Sequence, residues 1–379
     1  MTRHLVTLAG CCVLAAGAVA WAQSTTQTPA KPTTKTAAKP APPKPAAPKP
    51  APPKPPPPKP VEVLKLPYPE WLFPIDPDSI HPPKPVPKPA PKEAPKEPPK
   101  LDDIEMLTIP DSDQKYTLAR INDHFNAPDW YPADHIPMPD IVAKGRKPDI
   151  IACAYCHTPT GQGRPENSAL AGLPEAYIKE QLEAFRDGKR KPVGPEAWKP
   201  SYAMHALSAT LKDEEIDASA KYFAQQKLKR RQYVIESVNI PRAEPSDWVY
   251  MEVGGTEDLE NRVLEVAPDI IRHQRRDDRM PYTVYVPPGA LARGKQLVST
   301  GDKGKTQACA TCHLAGLKGT DKIPPIAGRS PTYLLRQLIA FKNGTRGGEA
   351  AAQMDPVVDK LELDDMIALA AYVGSLYPQ

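Results

Sequence analysis

Two stretches of the chain place two cysteines and a histidine at one spacing, Cys153-Ala-Tyr-Cys156-His157 and Cys309-Ala-Thr-Cys312-His313. Cysteines three positions apart lie on one side of a helical turn, where their sulfurs reach the two vinyl groups of one haem and form thioethers. The adjacent histidine then sits under the iron and supplies a nitrogen ligand. The remaining cysteines, Cys11 and Cys12, lie in an apolar leader, so the two motifs use every cysteine after it. A zinc site of two Cys-x-x-Cys knuckles is the bland alternative, but Cys156 and Cys309 are far too distant in sequence for the usual knuckle separation. A thioredoxin-like dithiol needs a βαβ context that neither motif has.

The motifs belong to an internal repeat. At an offset of 156, His157 falls on His313, Ala171-Gly172 on Ala327-Gly328, Tyr177 on Tyr333, and Gln181-Leu182 on Gln337-Leu338. Ala184-Phe185 falls on Ala340-Phe341, Gly188 on Gly344, and Arg190 on Arg346. Beyond that the offset is 150, and Met204 meets Met354, Leu211 meets Leu361, Tyr222 meets Tyr372. The first copy therefore carries six extra residues within 191–203, a stretch of prolines and glycine that reads as loop.

Each copy reads as a short helical unit. In the second, Ser330 suits an N-cap with Pro331 at the first helical position, and Gly344 closes the helix after Phe341. Leu334, Leu335, Leu338 and Phe341 recur at helical spacing, as do Tyr177, Ile178, Leu182 and Phe185 before Gly188 in the first. Last helices are expected over 213–226 and 362–376, both opening on acids that suit a helix N-terminus. A helix before the motif is expected over 289–298, with a shorter counterpart around 141–147. Met204 and Met354, each in an irregular stretch between the middle and last helices, are the candidate sixth ligands. Methionine is commonly core filler, but these two align with each other whereas Met106, Met138, Met251, Met280 and Met366 align with nothing. His205 rivals Met204 for the first iron; its counterpart is Asp355.

Both copies resemble small class I cytochromes c, and the tandem resembles the dihaem cytochromes c of bacterial periplasms, over roughly 140–226 and 289–377. The resemblance implies a mainly α fold and two haem c groups. Their thioethers would be to Cys153, Cys156, Cys309 and Cys312, and their axial iron ligands His157, Met204, His313 and Met354. In that family a proline carbonyl accepts from the ligating histidine. Pro324 fits that role, whereas the first copy has Ser168, whose carbonyl remains available. Irons filled on both sides leave outer-sphere electron transfer to redox partner proteins, with no catalytic residue. The alternatives are a cytochrome subunit of a larger dehydrogenase, a dihaem peroxidase, or a sulfur-compound-oxidising enzyme.

The rest of the chain positions these units. Residues 1–22 read as a signal peptide: Arg3 and His4, an apolar core over 5–20, and Ala20-Trp21-Ala22 as cleavage site. An uncleaved anchor is the second reading and a lipoprotein cut at Cys11 the third; all three put the protein in the periplasm. Residues 23–100 hold most of the chain's 51 prolines, alternating with lysine and alanine, and are expected to be disordered. The block 29–60 alone would reach on the order of 100 Å at about 3.1 Å per residue. On this reading, removing 29–100 leaves the core intact, and the apolar island Tyr68-Pro-Glu-Trp71-Leu72-Phe73 is a weak local cluster or a docking motif. Residues 101–139 are expected as an extended arm over the first unit. Residues 228–288 are expected as a connector of short strands, at 232–238, 248–253 and 282–286, with loops between.

Charge follows the same division. Residues 1–100 carry 14 Lys and Arg against 6 Asp and Glu, so the net +4 of the whole leaves −4 on 101–379. A nucleic-acid binder needs a basic stripe on its folded part, so nucleic acid is excluded as a partner. The basic tail instead suits tethering to a membrane or cell-wall surface.

Overall fold

The computed structural model describes residues 68–76 and 104–378. The first copy begins after a folded-back arm in which Leu107 bridges Tyr116 and a short helix α1 covers Leu118–Ile121, capped by the Thr117 side chain. The arm has its own small core of Ile109, Ile121, Trp130 and Tyr131. It packs on the connector as well as on the first copy, with Trp130 Nε1 donating to the Arg275 carbonyl at 2.7 Å. Helix α2 (Asp140–Ala143) is one turn long, and α3 (Cys153–His157) holds the first motif. Helix α4 (Glu175–Arg186) follows, with Gly188 at φ 69° behind it, then α5 (Lys199–Ser208) and α6 (Asp213–Ala224). Ile178, Leu173, Ala220 and Phe223 form the interior of this copy.

The connector departs from expectation. It is one five-stranded mixed sheet with order β1-β5-β4-β3-β2, rather than short strands separated by loops. Its strands are β1 (Gln232–Glu236), β2 (Asn239–Ser246), β3 (Val249–Asp258), β4 (Leu264–Ala267) and β5 (Tyr282–Val286). Helix α7 (Ile270–Gln274) lies between the last two strands. Every residue of β4 is buried, so this short strand is the sheet's centre.

The second copy opens with α8 (Ala290–Thr300), then α9 (Ala310–His313) with the second motif, α10 (Pro331–Lys342), α11 (Asp355–Val358) and α12 (Leu363–Ser375). The Ser330 hydroxyl accepts from the Tyr333 amide and caps α10. Helix α12 crosses α8 at Gly294, where a Cβ would drive into the Ala368 carbonyl. The absence of a side chain is what lets the two backbones touch. Arginines hold the two copies together: buried Arg329 donates to the carbonyls of Ala169 at 2.6 Å and Ala171 at 3.2 Å. Burial draws its guanidinium down to about 10.

The apolar island is a second correction. Residues Glu70–Leu72 form a 3₁₀ turn, and Leu72 and Phe73 are 0% and 4% exposed. Phe73 meets Trp198 edge-on at 5.5 Å, and a Cβ at Gly194 would collide with the Phe73 ring. Arg336 of α10 donates to the Leu72 carbonyl at 3.1 Å, and Tyr250 of β3 to that of Trp71 at 2.9 Å. The island thus ties the six-residue insertion of the first copy to the sheet and to α10, and deleting 29–100 would strip the core of this contact. Phe73→Ala is expected to cost about 3 kcal/mol of stability through the cavity it leaves. A urea titration checks this; a loss under about 1 kcal/mol would make the contact incidental. The expected signal peptide over residues 1–22 and the remainder of the expected disordered tail lie outside the described residues. Among the described residues, no helix is long and apolar enough to cross a membrane.

Candidate functional site

Each motif lines its own cavity. The second cavity, about 460 Å³, is bounded by Cys309, Cys312, His313, Pro324, Leu338, Phe341 and Met354. The first, about 160 Å³, is bounded by Cys153, Cys156, His157, Leu170, Leu182 and Met204. Met204 and Met354 occupy regular helical turns rather than irregular chain. Met204 lies within α5, and Met354 ends a 3₁₀ turn over Ala351–Met354. The Lys199-Pro200 step starts α5, since a proline at the first helical turn removes only a donor that has no partner there. His205, the rival to Met204, does not line the cavity.

The histidines are held in one orientation. His157 Nδ1 is 2.8 Å from the Ser168 carbonyl, and His313 Nδ1 is 2.9 Å from that of Pro324. A carbonyl can only accept, so Nδ1 carries the proton in both rings and Nε2 keeps its lone pair for a metal. Burial holds both imidazoles below their usual value and therefore neutral. Burial also pushes the Cys153 thiol up to about 12 and the Cys309 thiol to about 11. Such sulfurs are poor thiolates, which disfavours a dithiol redox pair.

Between the cavities stands a wall built from the repeat itself. Tyr177, Gln181, Tyr333 and Gln337 line both cavities, while Arg190 faces the first and Arg346 the second. Arg190 donates to Gln181 at 2.8 Å, Gln337 at 2.9 Å and the Tyr333 hydroxyl at 3.1 Å. Arg346 mirrors it, donating to Gln337 at 2.9 Å, Gln181 at 3.0 Å and the Tyr177 hydroxyl. Burial, then the charge of Arg346, lowers the Arg190 guanidinium. Burial opposes ionisation of Tyr333, but the two arginines outweigh it and draw the phenol down to about 8.

Among the described residues no carboxylate is ion-paired with either arginine, and Arg346 Nε has no hydrogen-bond partner. One buried and one partly buried cation without counter-charge are costly. A group bearing two carboxylates in each cavity would supply that charge, and haem, with its two propionates, is such a group. The residues therefore fit it: cysteine pair and histidine on one wall, apolar sides, methionine among the lining residues, and arginine toward the interface. The alignment of Arg190 with Arg346, and of Tyr177 and Gln181 with Tyr333 and Gln337, was visible in the sequence. Their convergence on one wall was not.

Comparison with known proteins agrees. The cytochrome c family model matches twice, over residues 142–227 and 291–377. A thiosulfate dehydrogenase electron acceptor of Thiomonas intermedia is 26% identical over 233 residues, 60% of this chain and 80% of that protein. A cytochrome c4 of Pseudomonas aeruginosa is 24% identical, covering 59% and 84%. Cytochrome c-554(548) of Halomonas halodenitrificans is 36% identical over 72 residues, 19% of this chain and 87% of that one.

Proposed function

The chain belongs to the cytochrome c family and carries two covalently bound haem c groups as an electron-transfer protein, and from that premise we propose that it shuttles single electrons between periplasmic partners with both irons His/Met-ligated. The observation that carries this reading is the repetition of one lining in two cavities that share a wall. Haem c bound there supplies reversible one-electron chemistry at iron.

The chain's own residues do the rest. Cys153 and Cys156, and Cys309 and Cys312, anchor through sulfur. His157 and His313 present Nε2, oriented by the carbonyls of Ser168 and Pro324. Met204 and Met354, which line the same cavities, would hold the sixth positions, and Leu182, Leu338 and Phe341 would exclude water, which would leave neither iron open to peroxide or oxygen. His/Met ligation keeps the potentials above those of bis-histidine haem. The relative from Thiomonas intermedia is by its name an electron acceptor of thiosulfate dehydrogenase. By analogy, the donor here is a dehydrogenase of a reduced sulfur compound, and the acceptor a terminal oxidase or its carrier. The same name supports a second reading, in which the chain is the cytochrome subunit of such a dehydrogenase. Export by a signal peptide over residues 1–22, and tethering through the basic tail, complete the reading.

Mass spectrometry of the denatured, secreted protein is expected to show the mass of two haems retained on the chain, one on each cysteine pair. One haem, or free thiols with another metal, would overturn it.

A further inference from the structure

The two motifs are equivalent in sequence but opposite in exposure. Around the first, Ala154, Tyr155, His157, Thr158 and Thr160 are all buried. The cover comes from outside the repeat. Arg276 of the connector stacks 3.6 Å from the centre of the Tyr155 ring and donates to the Tyr155 carbonyl at 3.3 Å. His124 of the arm meets the same ring edge-on at 4.5 Å. Asp278 takes the Thr160 hydroxyl at 2.6 Å, and Arg231 donates to the Gly163 carbonyl at 2.8 Å.

Around the second motif, nothing comparable is laid down among the described residues. Ala310, Thr311, Cys312, Ala315 and Gly316 are exposed, and Leu314 is 38% exposed. At the repeat offset the buried Thr158, Gln162 and Glu166 become the exposed Leu314, Lys318 and Lys322. Lys303 is also exposed on the approach to Cys309, and Lys360 reaches the Gly304 carbonyl of that loop at 3.4 Å. Of the acids beside these lysines, Asp321 is exposed, and Asp302 is paired with Arg293 at 2.6 Å. The face is an apolar centre with a basic rim, on a folded part whose net charge is −4.

We propose that external electrons are exchanged only at this face of the second copy, with an acidic redox protein, and that the first haem is reached solely through the shared wall of Tyr177, Gln181, Tyr333 and Gln337. Outer-sphere transfer falls off steeply with distance, so the layer of connector and arm over the first motif removes it as a docking point, while the exposed edge of the second remains. The basic rim attracts an acidic partner over roughly a Debye length, about 8–10 Å in ordinary buffers, and speeds encounter at low salt. One electron leaves the partner's reduced centre, which is oxidised, and one haem iron is reduced; no bond forms or breaks. This inference rests on the two-haem electron-transfer reading.

The test uses the full haem-loaded chain and reduced flavodoxin, an acidic one-electron protein, in a stopped-flow mixer. Lys318→Glu with Lys322→Glu is expected to slow reduction of the whole absorbance change about tenfold at low salt, with the rates converging at high salt. Charge reversal of exposed Lys189 on the first copy should change nothing. In a second arm, Lys318→Cys carrying a bulky maleimide polymer is expected to slow both halves of the absorbance change together. If half the amplitude kept the native rate, the first haem would have its own port and the proposal would fall. An unchanged rate in the charge-reversed variant would overturn the docking face. Haem mass and equilibrium potentials, measured on the same variants, separate either failure from a failure of the two-haem reading.

Discussion

Met354→Ala is expected to lower the reduction potential of the second haem by on the order of 100–200 mV and to leave the first near its native value. Methionine lines the cavity that holds Cys309, Cys312 and His313, and a thioether sulfur stabilises reduced iron more than oxidised iron. Alanine would leave the sixth position to water, converting half of the absorbance to a high-spin spectrum and removing half of the far-red sulfur-to-iron band. Met204→Ala is expected to do the same to the other half. His205→Ala should leave the first spectrum intact, since His205 does not line the cavity. Met280 belongs to the core beneath the sheet, so Met280→Ala should cost stability and not spectrum. A redox titration followed by visible spectra decides it. A native spectrum in Met354→Ala would remove methionine as the ligand.

The site was legible in the sequence because its chemistry is local. Two cysteines and a histidine within five residues need only one helical turn, and the repeat offset marks Met204 and Met354 without any knowledge of folding. Helix ends were legible for the same reason: Ser330 caps α10 through its own hydroxyl, and Gly188 and Gly344 take the left-handed turn that stops each middle helix.

What stayed hidden depends on distant partners. Strand β2 contains Pro241 and Pro245, which argue against a strand in isolation, yet it forms the sheet's edge, where a missing donor faces no neighbour. Strand β4 has four residues and no alternation because it is covered on both faces. The nine residues 68–76 sit between proline-lysine blocks, so average composition read them as part of the tail. Their partners Val193, Trp198 and Arg336 lie more than a hundred residues away. Met204 is expected in irregular chain because the proline- and glycine-rich stretch 191–203 reads as loop, whereas Pro200 stands in the first turn of α5.

Arg346→Gln should lower the potential of the second haem by on the order of 90 mV, and Arg190→Gln should act in the same sense on the first. For scale, a unit charge at an illustrative separation of about 8 Å from a redox centre, at an effective dielectric constant of about 20, would contribute roughly 2 kcal/mol to the preference for the reduced state. For one electron, about 1.4 kcal/mol corresponds to 59 mV. The sign follows from charge alone: a buried cation disfavours the oxidised, more positive iron, so removing it favours oxidation. The two substitutions should also not be independent. Arg190 and Arg346 share Gln181 and Gln337, and each reaches a tyrosine of the opposite copy. Groups in one hydrogen-bond network couple by about 0.5–3 kcal/mol, so the double variant should depart from the sum of the single shifts, and each single variant should move the other haem by a smaller amount. The outcome that defeats this account is a pair of shifts below about 10 mV. The arginines would then not face the haems, and their burial between two cavities would need another anion to explain it.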